Sequence, residues 1–130
     1  MSTNLHPASV AVERDRVPVG TALSDLAQRI FDGDRIQYAQ LGLVDEYVVE
    51  VDGVPSVLRH QVRTSDVTDG RLARELMVLA LAPATGDEFD LEFVRLIAAN
   101  DAREPGAELR RRFDQALAEL RFSEPGGTTR

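Results

Sequence analysis

The chain has 130 residues, 43 % of them apolar, which fits one domain with enough apolar surface to offset chain entropy. Its formal net charge is −7, with acid in excess in both halves, and this disfavours nucleic-acid backbones and anionic lipid as partners. Cysteine and lysine are both absent, which excludes a disulfide framework, a thiolate zinc site, a cysteine nucleophile, a lysine Schiff base and a P-loop.

Residues 1–18 read as a loose N-terminal segment or an edge strand. Val10, Val12, Val17 and Val19 supply the apolar side chains, and Pro18 marks the strand's limit. This stretch holds no long apolar run, and nowhere do about 18 apolar residues run together, so the expectation is a cytoplasmic protein without a membrane span.

A single α+β domain is expected over 19–122. Its first helix is predicted over 21–31, where Leu23, Leu26, Ala27, Ile30 and Phe31 share one face. Asp32-Gly33-Asp34 is the expected stop, with Gly33 as a left-handed C-cap. An antiparallel β-meander follows over about 34–64. Ile36 and Tyr38 open it, Tyr47, Val49 and Val51 alternate with polar neighbours, and Asp52-Gly53 is a two-residue hairpin signal.

Residues 66–100 fit two descriptions. Leu72, Ala73, Leu76, Leu79 and Ala80 match a helix over 69–82, and Phe93, Leu96, Ile97 and Asn100 match another over 88–99. Richness in Leu, Ala, Arg and Glu favours helices. In the alternative, 76–97 form a β-hairpin that extends a larger curved sheet. A final helix is expected over 105–121, with Pro105 in its first turn and Leu109, Phe113, Ala116, Leu117 and Leu120 as its stripe. Residues 123–130 read as a disordered tail.

Candidate chemistry is sparse. His60 is the best single candidate for proton transfer near neutral pH, ahead of His6 in the loose terminus, and its simpler reading is a strand histidine without a reaction. Asp32 and Asp34 flank Gly33, and Asp87, Glu88, Asp90 and Glu92 form a second acidic group. Neither matches an EF-hand loop, so solvated acid is expected and no metal or cofactor is assigned. Arg110-Arg111-Arg112 splays around a helix, where Glu108 is placed to pair with Arg111 or Arg112, and Arg110 with Asp114.

The absence of G-x-G-x-x-G, G-x-S-x-G and H-E-x-x-H motifs leans the reading away from an enzyme. The expected function is a non-enzymatic protein-binding module: an accessory, adaptor, chaperone-like or inhibitory protein. Arg110, Phe113, Leu117, Asp87 and Glu88 are its candidate contact residues. Its partner is another protein or a second copy that covers the C-terminal stripe, and an acidic surface would steer a basic partner. The alternative is a small-molecule-binding protein or acid–base enzyme. In that reading a curved sheet encloses an apolar pocket with His60, Tyr38 and Tyr47 as polar groups.

Overall fold

The turn at Asp52-Gly53 organises the sheet. Both residues have positive φ, 53° and 81°, as a type I′ hairpin requires. It joins β2 (Leu41–Val51) to β3 (Val54–Thr64). In the computed structural model, which describes residues 9–38, 40–64, 72–83 and 89–122, the meander continues through β4 (Leu72–Pro83) and β5 (Asp90–Asp101). β1 (Ser9–Pro18) adds antiparallel to the far side of β5, so the order is β1-β5-β4-β3-β2.

Where helices are expected over 69–82 and 88–99, the described residues 72–83 and 90–101 are strands, as in the hairpin alternative. Both faces of the sheet are covered there, so both faces of each strand are apolar. Leu76, Val78, Ala80, Val94, Leu96 and Ala98 join one core, whereas Met77, Leu79 and Phe93 join the other. A strand buried on both sides loses its alternation and reads as a continuous apolar run. Helix propensity, worth tenths of a kcal/mol per residue, is outweighed by this burial.

Helix α1 (Leu23–Gln37) runs six residues beyond the predicted end at Phe31 and passes through Gly33. The meander's expected opening at 34 falls inside it, and Ile36 is an exposed helical residue rather than a strand residue. The cause is topological. β1 and β2 lie at opposite edges, so the connection must cross four inter-strand steps, about 19 Å. The added residues bring Asp34 over β3, where it accepts from Gln61. Tyr38 follows as the C-cap, and its N–H donates to the Asp34 carbonyl.

Helix α2 (Gly106–Glu119) covers the opposite face, close to its predicted span, with Pro105 as its N-cap. Leu109 and Phe113 are fully buried against Val78, Val94 and Leu96. The predicted pairs on its outer surface form. Glu108 accepts from Arg111 at 2.9 Å and from Arg112 at 3.1 Å, and Arg110 bonds Asp114. Among the described residues, no helix is long and apolar enough to cross a membrane.

Phe113 is the largest fully buried side chain. Phe113→Ala is expected to cost about 3–5 kcal/mol, through lost transfer energy plus an unfilled cavity. Urea denaturation followed by circular dichroism measures this.

Candidate functional site

β3 carries Arg59-His60-Gln61-Val62-Arg63, and strand alternation divides it between the two faces. Arg59, Gln61 and Arg63 turn towards α1, and His60 turns towards α2. The α1 side is unusual because all three polar residues, with Glu75 from β4, are buried. Lone charges are excluded from such positions unless paired.

The pairing comes from one stripe of α1, at i, i+3 and i+7. The Arg59 guanidinium lies 5.1 Å from the centre of the Phe31 ring. Gln61 donates to Asp34 at 3.4 Å, and the Arg63 guanidinium lies 4.5 Å from the centre of the Tyr38 ring. From Phe31 to Tyr38 the helix rises about 10 Å, and from Arg59 to Arg63 the strand extends about 13 Å, so the two rows stay in step.

Neighbouring groups complete the seam. Arg59 donates from Nε to Glu46 at 3.0 Å and from Nη2 to the Ala27 carbonyl at 3.1 Å. Glu75 accepts from Gln61 at 2.6 Å and from Arg63 Nε at 3.1 Å. This joins the C-terminal half of α1 to the sheet by polar contacts, while Leu26 and Ala27 in its first half join it by packing on Met77, Leu79 and Phe93.

On the α2 side, His60 sits opposite Asp45 of β2 and Leu76 of β4. Its Nε2 is buried without a hydrogen-bond partner. Burial lowers its pKa below the ordinary value of 6.5; Arg74 and Arg110 lower it further, and Asp45 opposes them. Arg110 reaches from α2 to donate two hydrogen bonds to the Tyr47 hydroxyl, each at 3.3 Å. His60, Tyr47 and Arg110 thus share one face. Tyr38 lies on the other, so the three polar groups expected in one pocket are divided by the sheet.

The remaining candidates fall in several places. Phe113 is in the chain's own core, and Leu117 packs at its edge, partly buried. Asp87 and Glu88 lie outside the described residues. Asp32 and Asp34 are helical, about 200° apart around α1, rather than together in a turn. Asp32 accepts from Gln28, and Asp34 from Gln61. Among the described residues, no group of three His, Asp or Glu side chains is placed to hold a metal ion.

The helices leave one edge bare. In β2 only Val49 and Val51 turn into the α2 core, and every residue from 42 to 48 is exposed. Leu43, Val44 and Val48 are 47 %, 57 % and 70 % exposed. A register shift between Leu43 and Asp45 sets Val44 out of the regular pairing. β1 is also exposed, but it is guarded: Glu13, Arg14, Asp15 and Arg16 alternate in sign, Arg14 pairs with Glu92 at 3.1 Å, and Pro18 ends the strand. The charges on β2 are all acidic: Asp45, Glu46 and Glu50.

No protein-family model matches the chain, and no curated protein matches it significantly.

Two predictions follow from the two faces. Glu75→Ala removes the buried carboxylate that both Arg63 and Gln61 donate to and is expected to cost about 3 kcal/mol, whereas Arg14→Ala, where the arginine is 43 % exposed, costs less. Denaturant midpoints of the two variants give the comparison. For His60, the lowered pKa means that the unfolded chain binds the proton more readily. Its contribution is nil well above pH 6.5 and becomes destabilising as pH falls below 6.5 towards the folded-state value. His60→Gln should therefore lose less stability than the wild type between pH 7.5 and the acid side, read as the shift in urea midpoint.

Proposed function

We propose that this protein is a non-enzymatic protein-binding module that takes an extended segment of a partner along the outer edge of β2. The observation that carries this reading is the bare run from 42 to 48, on a sheet whose two helices lie over its other strands. An uncovered edge offers unpaired backbone N–H and C=O groups to a further strand. Leu43, Val44 and Val48 add apolar contact area beside it. Strand addition also suits a chain that shows no catalytic motif.

Charge selects the occupant. Asp45, Glu46 and Glu50 favour a segment in which Arg or Lys alternates with apolar residues. Self-pairing through β2 is disfavoured, because each copy would bring its three carboxylates to one seam. Arg110 and Tyr47, hydrogen-bonded beside the strand, would meet the flank of the bound segment.

Lysine at an edge opposes strand addition and repels a basic segment. The chain, purified from its own host under native conditions, is expected to carry a partner protein visible by native mass spectrometry. The Val44→Lys/Val48→Lys variant should purify alone with an unchanged melting temperature. A partner retained by that variant, or a wild-type chain found solely as a monomer, would contradict the proposal.

A further inference from the structure

At the opposite edge of the molecule, a cleft of about 430 Å³ opens between α1 and β1. Its floor is apolar: Val17, Leu26, Ile30 and Phe93. Three arginines line it, Arg14 from β1, Arg29 from α1 and Arg95 from β5, and Arg14 is already paired with Glu92.

Arg95 is the informative residue. It projects from the α1 face of β5 between Phe93 and Ile97, which both belong to the core beneath α1. Its side chain is 21 % exposed, and its Nε is buried without a hydrogen-bond partner. A guanidinium has five N–H donors, and leaving one desolvated is costly. Arg95 makes a long ion-pair contact, 3.6 Å from Nη1 to Glu13, whose own side chain is 61 % exposed. Arg29 is exposed and has no ion-pair partner among the described residues.

We infer that this cleft binds a small amphiphilic carboxylate, with its carboxylate on Arg95 and Arg29 and its apolar body on Leu26, Ile30 and Phe93. The planar fork of arginine matches a carboxylate with two parallel hydrogen bonds, stronger than the long contact to Glu13. Glu13 then acts as an internal competitor: it satisfies Arg95 loosely in the free protein and swings into solvent when the ligand arrives. The volume is in the range of small-molecule sites, which combine an apolar lining with a few placed polar groups. Asp15 at the rim adds negative charge and disfavours ligands with more than one anionic group.

The test uses octanoate as the probe and octanol as its neutral counterpart, titrated into isotope-labelled full-length chain and followed by amide NMR shifts. Octanoate is expected to give saturable shifts centred on Glu13–Val17, Leu26–Ile30 and Phe93–Arg95, and octanol should bind at least tenfold more weakly. Arg95→Gln and Arg29→Gln should each weaken octanoate about tenfold, the effect of losing one charged hydrogen bond. Glu13→Gln should tighten it several-fold, which a merely structural surface glutamate would not do. If Arg95→Gln fails to fold, Arg29→Gln, at an exposed position, decides. The proposal is overturned by octanol binding as tightly as octanoate, by shifts centred elsewhere, by unchanged affinity in the folded arginine variants, or by no saturable shift.

Discussion

Because β1 and β2 lie at opposite edges of one sheet, the chain between them must cross a whole face. That constraint sets the length of α1, carries it through Gly33, and places its last turn over β3. It also decides what lies beneath. The first half of α1 has Met77, Leu79 and Phe93 to pack against. The second half reaches β3, where Arg59, Gln61 and Arg63 meet Phe31, Asp34 and Tyr38 above them. Helix and strand rows therefore depend on each other. Apolar packing is non-directional and tolerates sliding, whereas the paired polar row holds α1 at one position along β3.

The placement of the helices divides the sheet into a buried centre and two exposed edges. β4 and β5 carry core on both faces and form the stable centre. β1 and β2 are edges of different chemistry. Balanced charge and a terminal proline protect β1, and the cleft beside it is lined by arginine and apolar side chains. β2 is acidic and exposed from 42 to 48, with apolar residues among the acids. One edge thus offers a small cationic, apolar cleft, and the other an acidic strand. The proposed partner segment and the proposed carboxylate ligand follow from this division and occupy opposite sides of the molecule.

Some of this is legible in the amino-acid sequence and some is not. Asp52-Gly53 encodes its hairpin locally, since positive φ is a property of those two residues. The pairs of α2 follow from helical spacing alone. Residues 66–100 mislead because two-sided burial removes the strand period, and only the presence of a helix on each face explains it. Gly33 looks like a stop because a local rule is being applied to a helix whose length is set by the width of the sheet. At the site, His60 stands out by residue type, yet the larger buried network surrounds it in sequence. Arg59, Gln61 and Arg63 at spacing i, i+2, i+4 mark one polar strand face, and that period is the signal that identifies them. Its partner Glu75 is brought close only by the register of β3 on β4.

Residue-resolved hydrogen exchange on the free, full-length chain reads out whether α1 crosses the sheet intact and leaves the β2 edge unpaired. Slow exchange is expected throughout β4 and β5, with protection in α1 continuing past Gly33 to Gln37 and alternation along β2, where amides that point away from β3 exchange fast. Helical protection patterns in 72–83 and 90–101, loss of protection after Phe31, or uniformly slow exchange along β2 would contradict this arrangement.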